Sequence, residues 1–185
     1  MNNCLIREER MRKKAPLFAA PRQRADVAPV VGIFCCYAAA AWLLPLDRRT
    51  LRICVEAMTK AAHLAAPPFS LRSVDIWLLD DARMGAVNVR HMSCGGPTNV
   101  LSFPEGRDGA GALLFGVDSM RRECLLYGQN LLDHTLRLLA HGMAHVVGFD
   151  HGPAMEELCE KLVTAAQSAC QVHCRAASGA ASARQ

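Results

Sequence analysis

The chain has 185 residues, 51% of them hydrophobic and 21% charged, with a formal net charge of +4. That length suits one domain with tails, and that apolar content supplies a core, which excludes a chain disordered throughout. Nine cysteines are scattered with no paired framework, several of them inside apolar runs. This excludes a disulfide-stapled secreted module and fits a reducing cytoplasm.

The positive charge is concentrated at the start, where Arg7, Arg10, Arg12, Lys13, Lys14, Arg22 and Arg24 face only Glu8 and Glu9 within residues 1–25. Residues 1–27 read as a basic, flexible arm suited to an RNA or ribosome surface, because phosphate contacts are electrostatic and independent of sequence. A solvated terminus or an over-long translation start explains the same composition. Residues 28–46 carry no charge over a length that approaches a membrane span. Pro29 and Pro45 bracket that stretch, Gly32 interrupts it, and residues 38–41 are only weakly hydrophobic. Residues 30–36 therefore read as a buried strand running into a connection, and no membrane is expected.

A helix is predicted from about Asp47, with apolar residues at helical spacing through Ala62, stopping before Pro67-Pro68. Residues 73–79 read as a strand with a mostly buried end, Asp80-Asp81 as a polar turn, and residues 82–89 as a short helix. Residues 91–97 form a loop by composition. Residues 98–103 are a second β-like run closed by Pro104, followed by a glycine-rich turn and a third strand over 112–117. Asp118 or Ser119 caps a helix that ends near Gly128. Asn130 and Asp133 resemble a capping pair for a helix of about residues 131–147. Pro153 with Glu156 and Glu157 opens a last helix to about Ala166, leaving residues 171–185 as a flexible tail. The pattern predicts a single α+β domain with one small mixed sheet of three or four strands, covered by four or five helices.

The most informative stretch is residues 141–151, which hold three of the seven histidines, His141, His145 and His151. On a helix, residues four apart lie about 40° apart around the axis and about 6 Å apart along it. Both imidazoles of His141 and His145 can then reach one ion at about 2.0–2.1 Å. Gly148 takes the left-handed conformation at little cost, ends the helix and lets His151 return as a third ligand. Three histidines leave a tetrahedral zinc one open position, the arrangement of a catalytic site, here on a helix C-terminal end. A metal-dependent hydrolase domain over residues 28–170 follows. Zinc proteases of the H-E-x-x-H type place a glutamate base after the first histidine, and here that position is Gly142. A metzincin-like metalloprotease is accordingly a second alternative.

Two separated blocks resemble one family. Residues 141–151 look like the H-G-x-x-H-x-x-G-[YF]-D-H signature of the YbeY-type rRNA maturation factors, single-strand-specific endoribonucleases. Residues 97–104, Pro-Thr-Asn-Val-Leu-Ser-Phe-Pro, resemble that family's second signature, with Asn88 ten residues before Thr98. The resemblance implies one Zn2+ per chain on His141, His145 and His151, with Asp150 beside the ligands. It also implies that Asn88, Thr98, Asn99 and Ser102 shape the cleft. The implied activity is cleavage of single-stranded RNA in small-subunit rRNA maturation and ribosome quality control, with the ribosomal small subunit or its proteins as partners. The chain departs from the family where an arginine usually stands: that position is Met92, leaving Arg90 and His91 as neighbouring candidates for a catalytic positive charge. The departure keeps open the first alternative, a metal-stabilised ribosome-assembly factor that does not cut.

Overall fold

The computed structural model describes residues 30–65, 71–105 and 109–182. The expected basic arm, residues 1–27, lies outside them, as do the last three residues of the expected tail. Four strands form one mixed sheet: β1 (Val30–Cys35), β2 (Ser73–Leu79), β3 (Val100–Glu105) and β4 (Ala110–Gly116). Their spatial order is β1-β2-β4-β3, with β1, β2 and β4 parallel and β3 antiparallel at the edge. The helices are α1 (Ala40–Leu43, a single turn), α2 (Arg48–Ala65), α3 (Asp81–Met92), α4 (Val117–Tyr127), α5 (Leu131–Val146) and α6 (Pro153–Ser182). The architecture is the predicted α+β domain with one four-stranded mixed sheet.

The two sheet faces follow from the period of two along each strand. Val31, Ile33, Val74, Ile76, Leu78, Leu113 and Phe115 turn to one face and form a core with α2, α5 and α6. On the opposite face Phe34, Trp77, Leu114 and Leu101 share one row across the four strands. Met84 of α3 joins that second cluster, and the rings of Phe34 and Trp77 stack with centroids 4.4 Å apart. Each fully buried Leu, Ile or Met contributes about 1.5–3 kcal/mol. No helix among the described residues is long and apolar enough to cross a membrane.

Several boundaries differ from the sequence reading, each for a local reason. Asp80 is the N-cap of α3, accepting from the Arg83 amide at 2.8 Å, so the expected polar turn is a helix start. The same helix absorbs His91 and Met92, so the expected loop begins at Ser93. Asp118 and Ser119 do not cap α4. Asp118 takes the Tyr37 hydroxyl at 3.1 Å and the Asp81 amide at 3.2 Å, and the Ser119 hydroxyl donates to Asp81 at 2.9 Å. Pro104 lies inside β3 and does not close it. The strand is at the edge, where a residue facing outward has no ladder bond to lose. α6 runs on to Ser182, well past Ala166, because no proline interrupts an alanine-rich stretch and Cys170 is buried in the core.

Candidate metal centre

α5 carries two of the three histidines and is specified at both ends. At its start the Asn130 side chain accepts from the amides of Leu132 and Asp133 at 3.0 and 3.1 Å. At its end the Phe149 amide donates to the Ala144 carbonyl and the Gly148 amide to the His145 carbonyl, both at 3.0 Å. These two bonds define a Schellman turn, and Gly148 at φ 90° occupies its left-handed position. The turn reverses the chain within five residues of the helix end and carries His151 back toward the helix.

The three rings converge. Centroids lie 4.7 Å apart for His141–His145, 5.3 Å for His141–His151 and 4.7 Å for His145–His151. One ring nitrogen from each falls within 4.8 Å of the other two. Among the described residues no other group of three potential ligands meets this closely. His141 and His145 are half-buried and His151 is exposed, so the corner opens to solvent on the His151 side.

The donor set fits a borderline divalent ion on two further grounds. Nδ1 of His145 lies 2.8 Å from the Phe149 carbonyl, which only accepts, so Nδ1 carries the proton and Nε2 keeps its lone pair. The Schellman turn that delivers His151 thus also sets the tautomer of His145. His141 has its pKa lowered, first by burial and then by His145 and His151, which favours the neutral, ligating form.

Gly142 lies beneath this corner. A Cβ there would stand 2.8 Å from Leu113 Cδ2, 3.0 Å from Val100 Cγ2 and 3.3 Å from Ser102 Oγ. The side-chain position next to the first histidine faces β4 and β3, where any side chain requires Leu113 and Val100 to shift. The glycine fits this close sheet–helix contact.

The other predicted residues lie around the corner at varying distance from its chemistry. Ser102 turns toward α5 at Gly142. Asn88 is buried and its amide donates to the Gly96 carbonyl at 2.9 Å, fixing the loop that leads into β3. Thr98 is half-buried in that loop, and its carbonyl would lie 2.3 Å from a Cβ at Gly116. Asn99 turns away to α4, its amide donating to both Glu123 carboxylate oxygens at 2.9 and 3.0 Å. Asp150 is exposed, and among the described residues its carboxylate has no hydrogen-bond partner. Arg90 and Met92 are exposed at the end of α3. The His91 ring rests edge-on against Phe103 at 5.2 Å, on the sheet face opposite α5.

Sequence reasoning missed one cluster. His134 Nε2 lies 2.9 Å from the Glu123 carboxylate that Asn99 also holds, which ties the residue before β3 to α4 and α5. His134 is seven residues before His141, so it shares the stripe of the helix that faces the ligands, and that spacing was the available signal.

A small α+β domain with three convergent imidazoles on a helix and its reversing turn defines a candidate histidine metal centre. The family profile described as Endoribonuclease YbeY matches residues 44–170. The protein named Endoribonuclease YbeY from Lawsonia intracellularis is 38% identical over 123 residues, covering 66% of this chain and 87% of that protein. Its namesake from Nitratidesulfovibrio vulgaris is 37% identical over 139 residues, covering 63% and 83% respectively. The solution structure of a Thermotoga maritima protein aligns with a TM-score of 0.54 at 16% identity, over 78% of this chain and 93% of its own, a likeness of fold. The chain belongs to the endoribonuclease YbeY family.

Proposed function

We propose that this chain is a zinc-dependent endoribonuclease that cuts single-stranded RNA in small-subunit ribosomal RNA maturation and ribosome quality control. The observation that carries this reading is the meeting of three imidazole nitrogens within 4.8 Å in a chain of this family. Residues 28–170 act as the hydrolase domain, in the cytoplasm, with ribosomal RNA and the small subunit or its proteins as partners. The free thiols among the described residues suit that reducing compartment.

His141, His145 and His151 would hold the ion. Zinc there would polarise a phosphoryl oxygen and bring the pKa of a water toward neutrality. His145 keeps its Nδ1 proton on the Phe149 carbonyl, so this ring orients a ligand nitrogen and does not shuttle a proton. Burial keeps His141 neutral, and the solvent-open side at His151 leaves an approach for the RNA backbone. Position 142 supplies no general base, and this weighs against peptide hydrolysis.

A second reading rests on Met92, which is 57% exposed at the end of α3 where the family resemblance puts an arginine. The site then binds RNA without cutting, as an assembly factor. One assay separates the readings: zinc-loaded protein on single-stranded RNA and on casein, beside His145→Ala, with metal content measured for both. The expected result is about one zinc per chain and RNA cleavage, both lost in His145→Ala. Binding without cleavage favours the assembly factor, and cleavage of casein alone the protease. RNA cleavage that survives His145→Ala sinks the metal-centred reading.

A further inference from the structure

β3 carries three hydrogen-bond donors that have no partner among the described residues. The Gly116 amide donates to the Asn99 carbonyl at 2.8 Å. In an antiparallel pair, residues alternate between exchanging both bonds with the partner strand and turning both groups away from it. With Val100 opposite Phe115 and Ser102 opposite Leu113, the residues bonded to β4 are Asn99, Leu101 and Phe103. Val100, Ser102 and Pro104 therefore point their backbone groups outward. Among the described residues β3 is the last strand of the sheet, and the Val100 and Ser102 amides meet no further strand there. Among the described residues neither amide has another partner.

The third donor is the Ser102 hydroxyl. It turns to the α5 side of the strand, at Gly142, the residue directly after His141. Ser102 is half-buried, and among the described residues its hydroxyl has no hydrogen-bond partner. Two amides about 6.8 Å apart along the strand, with a hydroxyl between strand and helix, thus line the rim beside the histidine corner. All three are neutral donors, which suit the oxygens of a phosphodiester and do not compete with the histidines for a cation.

We propose that the Val100 and Ser102 amides and the Ser102 hydroxyl form a ledge that holds the phosphates of single-stranded RNA next to the three histidines. The inference rests on the RNA reading above and deepens it by naming the groups that seat the strand. The Val100, Ser102 and Pro104 carbonyls share this edge, so an extended peptide could also pair there, and it is the competing occupant that the test must separate from RNA. Pro104 has no amide and ends the row of donors after two.

The test is the affinity of the zinc-loaded full chain for a fluorescein-labelled single-stranded RNA, by anisotropy read before any cutting is detected on a gel. Ser102→Ala is expected to bind about three- to tenfold more weakly, the size of one neutral hydrogen bond, and Ser102→Thr to bind close to the natural chain. Both variants should keep about one zinc when loaded. On RNAs carrying one methylphosphonate linkage at successive positions, the natural chain should lose affinity most at one linkage, and Ser102→Ala should lose nothing further there. If Ser102→Ala melts lower, an amide-to-ester replacement at Val100, which spares every side chain, carries the same expected loss.

Equal binding by Ser102→Ala and the natural chain overturns the ledge. So does an equal penalty at every neutral linkage, or an extended peptide that displaces the RNA while phosphate-containing competitors do not. If the natural chain neither binds nor cuts RNA, the RNA reading itself fails. If it does both while Ser102→Ala is indistinguishable, the ledge alone falls.

Discussion

At the end of α5, backbone hydrogen bonds, one left-handed glycine and a carbonyl on His145 hold two ligands and the path of the third. At the end of α3 the chain leaves Arg90, His91, Met92 and Cys94 exposed, and two side-chain bonds, Asn88 to the Gly96 carbonyl and the Cys94 thiol to the Met92 carbonyl, hold the loop that follows. The first region is determined mainly by backbone, so few substitutions could move it without unfolding the helix end. The second presents side chains on a short rim, where a residue can change without disturbing the fold. Metal coordination tolerates little displacement, whereas contact with a flexible polyanion tolerates more. Met92, the position at which the family resemblance places an arginine, falls in the second region.

The largest effect should come from crowding the first region. Gly142→Glu forces a carboxylate against Leu113, Val100 and Ser102 and should cost about 3 kcal/mol or more, read by denaturant unfolding. Unchanged stability, with protease activity gained, would show that the corner is roomier than the packing implies. Gly148→Ala places a Cβ at φ 90° and should cost about 1–2 kcal/mol. It also displaces the Phe149 carbonyl, and zinc affinity should fall about tenfold, measured by competition with a chelating dye. Equal affinity would separate the turn from the ligand set.

The rim should respond to charge. Met92→Arg returns the cation that the family resemblance places there. RNA binding should tighten, and the log–log salt dependence should steepen by about 0.7, one more phosphate neutralised on a single strand. No change in that slope would mean that the end of α3 does not face the RNA.

The smallest effect lies at the other end of α3. Asp81 has its pKa lowered, chiefly by the hydrogen bond from Arg122 at 2.6 Å and also by the Ser119 hydroxyl. A folded-state pKa below the unfolded one means that the contribution is complete above the ordinary carboxylate range near pH 4 and is lost as pH falls through it. The pair is partly exposed, so the contribution is about 0.2–1 kcal/mol. Asp81→Asn should flatten the fall of melting temperature below pH 4 and leave pH 7–8 nearly unaffected by further titration.

The difference between the two regions also governs what the sequence made legible. β1, β2, the α5 cap at Asn130 and the turn at Gly148 were readable because local periodicity, one amide side chain and one glycine decide them. The three histidines were readable because helical spacing and the following turn place them without reference to distant residues. The cap at Asp80, the roles of Asp118 and Ser119, and the Glu123–His134–Asn99 tie were not, since each depends on partners brought close by the sheet order. The packing around Gly142 was equally hidden. The motif shows that a carboxylate is missing, and only the approach of β3 and β4 shows how closely the glycine is packed.

Pro104 has one further consequence. An exposed strand invites copies of the same protein to stack edge to edge, and proteins guard against such self-assembly by interrupting the border. Ending the row of amides after Ser102 leaves a border too short to template a second β-strand. The molecule can thereby keep that margin uncovered for a visiting polymer without becoming sticky toward itself.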